Sequence, residues 1–429
     1  HVVRSLMERG IGLQASYPGD SCLYAAPGLQ SPGNLSEYLL GQVHPQAFTS
    51  CLAAIALCPE AGACALDMCA APGGKTARLS FALGNRGTIV ANDVSLHRMP
   101  ALRDTIDRLG LVNVAVTRVD GSSLPGAIGS FDRVLVDAPC SGEGTVRKIA
   151  GAGGHFGAGN AVRLQGRQIA LLRKAVQRCS PGGRVVYATC SFAPEENEAV
   201  VDAVLREDDG RSLRIAAVDV PGLRTAPGLT AWDGARYADD LRRAVRLWPQ
   251  DNDTGGFFAV ALDKHGDAPL EPVDPFPFVA IEYNESQPQV VGRFGIPIEV
   301  VGAYRLHRTT QRGPHLAAAD HAPPAAPAPE SVVIRFMKTK TRFPKLTTPG
   351  AQILGPHATR NVLDLDADQL PAYLARTAVA LEPGQAGDCS GDGFVLVRHR
   401  GHVLGLAFYR DSADRVESLV PKRWSTVRG

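Results

Sequence analysis

The chain has 429 residues, 45% of them hydrophobic and 21% charged, with a formal net charge of +2. That length predicts two or three domains with ample core, and so small a charge excess does not by itself point to a polyanionic partner; local clusters must carry that argument. No stretch has the uninterrupted apolar length of a membrane helix, and the nine cysteines, odd in number and never spaced C-x-x-C, describe neither a disulfide framework nor a zinc site.

Free thiols predict a reducing, intracellular location, nucleus or cytoplasm. The chain starts at His1 rather than Met, as expected of a fragment or a processed form. Residues 1–60 combine a Gly/Pro/Ser loop (17–33) with a helical pattern over 46–57. From 61 to 265 short apolar runs alternate with helical patterns. ACALDMC, TIVANDV, NVAVTRVDG, FDRVLVDAPC, GRVVYATC and GGFFAVAL read as strands, and 164–179 and 195–206 as helices. Such alternation predicts an α/β fold with a doubly wound, Rossmann-like parallel sheet covered on both faces. Residues 266–330 are rich in proline, and HLAAADHAPPAAPAPE within them predicts an extended, unpacked linker. Residues 331–429 hold short strands (SVVIRFM, GFVLVRHRG, HVLGLAFYR) around one helical stretch, 366–376, and predict a small β-rich domain.

The loop LDMCAAPGGKT contains Gly-Lys-Thr but is not a triphosphate loop. Cys69 stands where that loop needs its first glycine, and Pro72 has no N–H to offer a phosphate. The G-x-G-x-x-G pattern is missing too. Yet the loop follows the first strand and opens a helix, where such sheets bind ligands. Asp93, Asp120 and Asp137 end the second, third and fourth strands. Each aspartate alone could merely cap the next turn; one per strand end, on one sheet edge, is a cofactor arrangement. A ribose-reading acid without a pyrophosphate loop suggests a nucleoside cofactor lacking phosphates, S-adenosylmethionine.

Two thiols end neighbouring segments: Cys140 in DAPCSGEG and Cys190 in ATCSFAPEENE. Buried core cysteine is the plain reading for Cys51, Cys58, Cys64 and Cys179. It fits Cys140 and Cys190 less well, because both lie beside turn or helix-start residues. A reaction that uses both is methylation at cytosine carbon 5. Thiolate addition at carbon 6 makes carbon 5 nucleophilic, and elimination follows loss of the carbon-5 proton. The second thiol would serve release, and Asp137 would hold the base edge or assist proton transfer. Residue types alone do not say which cysteine attacks.

Residues 63–264 resemble the Sun/Nop-type RNA cytosine-5 methyltransferases through LDMCAAPGGKT, ANDV, VDG (119–121), FDRVLVDAPCSGEGTVRK, GRVVYATCSFAPEENEAVV and TGGFF. The resemblance implies that Cys69, Ala70, Ala71, Pro72, Gly73, Gly74 and Lys75 wrap S-adenosylmethionine. It implies that Asp93 meets the ribose, Asp120 the adenine side, and Asp137 the methionine end or the target base. It implies Cys190 as nucleophile and Cys140 as the thiol that assists release, with no metal. PGLTAW (227–232), RLWPQDNDTGGFF and VGRFGI (291–296) resemble the eukaryotic tRNA-modifying subgroup, which implies tRNA as partner; EGTVRK is shared with ribosomal RNA enzymes. The C-terminal GFVLV…GLAFY pattern resembles the small pseudouridine-synthase-and-archaeosine-transglycosylase RNA-binding barrel.

The implied organisation is an RNA-side segment over 1–60, the methyltransferase domain over 61–265, a Pro-rich arm over 266–330 and the β-rich RNA-binding-like domain over 331–429. Some features depart from the family. Pro100 sits where a helix is expected and predicts that the helix starts near it or kinks. The Gly-rich 150–161 replaces a more aromatic segment, and Gln250 stands where the subgroup often has histidine. VIRFMKTKTRFPKL (333–346) interleaves Phe336 and Phe343 with five cations, either for phosphates and bases or as a solvated strand face. Arg147 and Lys148 are candidate RNA guides. The competing readings are the same chemistry on ribosomal RNA, a catalytically silent RNA-binding assembly factor, and a triphosphatase.

Overall fold

The computed structural model describes residues 2–15, 23–148, 158–207, 209–220, 222–266, 273–281, 287–309, 313–338, 341–343, 345–411 and 413–425. The central sheet is built from β1 (Cys64–Asp67), β2 (Thr88–Asn92), β3 (Val114–Thr117), β4 (Phe131–Asp137), β5 (Cys179–Thr189), β6 (Leu213–Ala216), β7 (Ala226–Pro227), β8 (Val245–Leu247) and β9 (Phe257–Lys264). Its order is β3-β2-β1-β4-β5-β9-β8-β7, with β6 also on β9. The β1–β5 pairings in that order are parallel; those of β9 are antiparallel.

Continuous apolar runs make this sheet because both faces are covered. Along each strand alternate residues enter two separate cores. Ala65, Ile89, Leu135 and Val186 pack with Leu52 and Leu57 of α1 (Phe48–Leu57), Leu79 of α2 (Gly74–Ala82) and Leu102 of α3 (Met99–Leu109). Leu66, Val90, Val134 and Val185 pack with Leu171 and Leu172 of α4 (Ala158–Arg178) and Val200 and Val204 of α5 (Glu198–Leu205). From β1 the chain moves outward to β2 and β3, then returns to lay β4 on the other side of β1. That reversal leaves a crevice at the carboxyl ends of β1 and β4.

α3 starts at Met99 and carries Pro100 in its first turn, where a missing N–H costs nothing. The helix expected from 195 begins at Glu198, and the one expected over 366–376 is a single turn, Leu370–Leu374. SVVIRFM forms only the short pieces Ile334–Arg335 and Met337–Lys338, in different sheets. The last region carries a five-stranded sheet in the order Val362–Asp364, Gly393–His399, His402–Tyr409, Arg415–Ser418, Ala378–Ala380.

The stretch from 315 to 330 differs from the unpacked linker expected of it. It is extended, but Gly313–Ala318 is a strand, the Ala318 N–H donates to Val112 O at 2.8 Å, and the Glu330 N–H donates to Val116 O at 2.7 Å. The Val116 N–H answers to Ser331 O at 2.7 Å, and the Glu330 carboxylate pairs with Arg103 and Arg118. Proline supplies the extended backbone, and the open edge of β3 supplies hydrogen-bonding groups that need partners, so the segment covers an edge strand. Residues 149–157 of the Gly-rich stretch, the side chains of Arg147 and Lys148, Cys22, and Thr339, Lys340 and Pro344 of the basic stretch lie outside the described residues.

Candidate active site

The loop from Met68 to Gly73 is tied into the crevice by its backbone. The Met68 N–H donates to Leu135 O at 3.0 Å and the Ala70 N–H to Asn92 O at 2.8 Å. Ala70 and Ala71 are buried, Cys69 is half-buried and Pro72 is exposed. Gly73 has φ +104°, and a Cβ there would lie 3.0 Å from Thr105 Cβ and 3.1 Å from Leu102 Cδ1, so only glycine brings the loop this close to α3. Gly74 then opens α2, with its carbonyl taken by Gln46 Nε2 at 2.8 Å. The N-terminal segment thus docks directly on the loop.

The acids divide into different jobs. Asp93 is buried and accepts from the Ala71 N–H (3.0 Å) and the Ser95 N–H (2.9 Å), which braces the loop against β2. Asp120 caps its turn by accepting from Ser122 N–H (3.0 Å) and Ser122 Oγ (2.8 Å), and these bonds hold its carboxyl below the usual range. It is exposed at the crevice rim. Asp137 accepts from Lys75 Nζ at 2.7 Å. Lys75 is therefore engaged with a carboxylate. Burial works against its ammonium, but Asp137 more than offsets this and holds Lys75 above the ordinary lysine range. Asp67, under the loop, accepts from Thr76 Oγ1 at 2.7 Å, and burial pushes it up to about 7.

Cys140 and Cys190 follow β4 and β5, which are adjacent and parallel, and their sulfurs lie 3.3 Å apart. Their mutual hydrogen bond lowers Cys190 from the ordinary thiol value, and burial opposes this; nearby Lys75 helps and Asp137 opposes. The same bond, reinforced by burial, holds Cys140 well above the ordinary value. The two sulfurs are thus unequal, with Cys190 shifted towards the thiolate and Cys140 towards the thiol. Cys69 sits at the same edge, but burial and then the Asp67 charge push its thiol up, so it stays neutral. Of the cysteines expected in the core, Cys51 and Cys179 are buried and Cys64 half-buried, but Cys58 is exposed at the left-handed C-cap of α1.

Residues not singled out in the sequence hold this pair. The Gly144 N–H donates to Cys190 O (2.8 Å) and the Gly256 N–H to Gly144 O (3.0 Å). A Cβ on Gly144 would lie 2.4 Å from Gly256 O, and one on Gly256 2.0 Å from Phe192 Cε1. Fully buried Glu196 accepts from Ser141 N–H (2.9 Å), Ser141 Oγ, Ser191 Oγ (2.8 Å) and Gln168 Nε2 (2.8 Å). Asn92 ties the first loop to the third by donating to Met68 O and Val119 O. PEENE reads simply as an acidic helix start, and nothing in its spacing marks Glu196.

The crevice fits a cationic, phosphate-free cofactor. Asp120 and Asp137 stand at the crevice edge with Asp93 and Asp67 buried behind them, the only lysine of the loop is already paired with Asp137, and Pro72 offers no donor, so the loop is not a triphosphate cradle. A doubly wound sheet with an acid-lined crevice and a thiol pair at its mouth defines a Rossmann-like, S-adenosylmethionine-dependent methyltransferase.

Residues 54–263 match the family model described as 16S rRNA methyltransferase RsmB/F. The tRNA (cytosine(49)-C(5))-methyltransferase of Pyrococcus abyssi is 37% identical over 232 residues, 54% of this chain and 73% of that protein. The ribosomal RNA small subunit methyltransferase F of Aeromonas salmonicida is 30% identical over 408 residues, 91% of this chain and 80% of that protein. A solved methyltransferase homolog from Pyrococcus horikoshii has a TM-score of 0.54 at 31% identity, covering 61% of this chain and 81% of that one. The chain belongs to the RsmB/F, or Sun/Nop, family of RNA cytosine-5 methyltransferases.

Proposed function

We propose that this protein methylates carbon 5 of a cytosine in small-subunit ribosomal RNA through a covalent adduct at Cys190. The observation that carries the chemistry is the 3.3 Å contact between Cys140 and Cys190 at the ends of adjacent strands. Residues 69–75 and Asp93 form the cofactor cradle, with Asp120 at its rim. When bound, S-adenosylmethionine supplies an electrophilic methyl group. Cys190, as thiolate, adds to carbon 6 of the cytosine and leaves carbon 5 electron-rich. Asp137, held by Lys75, orients the base edge or the cofactor's methionine end. Once Cys190 is a neutral thioether, the bond that kept Cys140 protonated is gone. Cys140 then gives up its thiol proton to solvent and, as thiolate, takes the carbon-5 proton; the electron pair of that C–H bond expels Cys190 from carbon 6, which regenerates the Cys190 thiolate beside a protonated Cys140.

The ribosomal substrate is supported by the reach of the similarity. The likeness to the small-subunit enzyme of Aeromonas salmonicida continues across 91% of this chain, including the region beyond the methyltransferase sheet, where an RNA would be selected. The second reading, tRNA, is supported by the higher identity to the Pyrococcus abyssi enzyme, which covers 54% of the chain. Methyl transfer to isolated small-subunit ribosomal RNA, to assembled small subunits and to total tRNA, with the modified cytosine mapped, separates them. Incorporation confined to tRNA would overturn the ribosomal reading.

A further inference from the structure

The two thiols belong to loops that follow different strands, and no covalent link holds them together. The Gly144 N–H bond to Cys190 O is one tie between them, and a buried carboxylate is another. Ser141 follows Cys140 directly and Ser191 follows Cys190 directly, and Glu196 accepts from both: Ser141 N–H at 2.9 Å and Ser141 Oγ on one side, Ser191 Oγ at 2.8 Å on the other. The two hydroxyls also touch each other at 3.0 Å. Gln168 of α4 completes the set, with Nε2 2.8 Å from Glu196 and 2.9 Å from Pro139 O, the carbonyl preceding Cys140. The Glu196 carbonyl accepts from Tyr187 Oη at 2.6 Å, which anchors the node to β5.

We propose that Glu196 is a positioning residue that holds Cys140 as hydrogen-bond donor to Cys190 and so determines which of the two sulfurs attacks. This rests on the two-thiol reading above. Two physical consequences follow from the geometry. Among the described residues the donors that meet the Glu196 carboxylate are neutral, so its charge is spread into the cysteine loops. That charge adds to the forces keeping Cys140 protonated. In addition, the carboxylate accepts at both oxygens; an amide in its place removes the charge and one acceptor, and the two serine hydroxyls that donate to that oxygen must turn to accept from its NH₂. The other charged or titratable groups facing the pair among the described residues are Lys75 and Asp137 at the cofactor side, Glu143 beside Ser191, and Tyr187 beneath.

The test is site-resolved alkylation with iodoacetamide across pH, read by peptide mass spectrometry, with exposed Cys58 as internal reference. It needs no RNA. In the wild type, Cys190 is expected to label ahead of Cys58 at neutral pH, and Cys140 hardly at all. In Glu196→Gln, Cys190 labelling at pH 7 should fall by about tenfold, the change brought by one pKa unit, and label should appear on Cys140. An unchanged profile and unchanged site in Glu196→Gln overturn the proposal. Should that variant not fold, Ser191→Ala removes one hydroxyl only, and should show the same shift to a smaller degree; a wild-type profile there counts against the proposal. If labelling depends on Glu196 while no RNA is methylated, the positioning role stands and the substrate reading fails. If RNA is methylated and labelling ignores Glu196, the reverse holds.

Discussion

The sulfurs of Cys140 and Cys190 are 3.3 Å apart although fifty positions separate them in the chain. Their hydrogen bond makes them unequal, lowering Cys190 and raising Cys140. The rate of adduct formation under single-turnover conditions should therefore rise with pH through a midpoint below the ~8.5 of a free thiol. Cys140→Ala removes the donor that stabilises the thiolate, so its midpoint should move up. A Cys140→Ala midpoint at or below that of the wild type contradicts the assignment.

Lys75 and Asp137 form the other defining pair, at 2.7 Å with side chains 14% and 30% exposed. Lys75→Met leaves Asp137 half-buried without its cation. The expected cost is about 1–3 kcal/mol in urea unfolding. Adduct formation should slow as well, because Lys75 also favours the Cys190 thiolate.

Arg246 and Glu198 are nearly fully buried, at 4% and 0% exposure, and Arg246 also donates to Phe192 O at 3.0 Å, two residues past Cys190. Arg246→Met strands a buried carboxylate and should cost about 3–5 kcal/mol. Arg246→Met combined with Glu198→Gln should recover part of that loss. Equal stability of the single and double variants would remove the pair from the account.

Asp67 gives a pH signature. Its folded-state value, about 7, lies above the ~3.9 of an unfolded aspartate, mainly through burial. Between these values the folded chain binds more protons than the unfolded one, so this group's contribution falls as pH rises from 4 to 7. Asp67→Asn should remove that decline, measured as unfolding free energy against pH in both proteins.

The sequence made the fold legible where physics is local. The buried runs of β1–β5 cannot be solvated, and their lengths are those of strands. The acid at each strand end stands out from the apolar runs, and the thiols are visible because they interrupt strand-to-turn junctions. Lys75 is assigned to the cofactor loop through the family resemblance of LDMCAAPGGKT; its partner, Asp137, lies 62 positions away, and no local pattern encodes that pairing. Asp120 shows both a rim position and the turn-capping role that any aspartate there could take. The covering of β3 by 315–331 was hidden for the same reason. Proline content predicts an extended backbone but says nothing about what the chain lies against.

The most direct test of the central claim is covalent trapping. Cys140→Ala is incubated with small-subunit ribosomal RNA and S-adenosylmethionine and run on a denaturing gel. The account predicts a stable protein–RNA band in Cys140→Ala that is absent from Cys140→Ala/Cys190→Ala. A band that survives loss of Cys190, or its absence with every RNA tried while the wild type still transfers methyl groups, would contradict attack by Cys190 and release through Cys140.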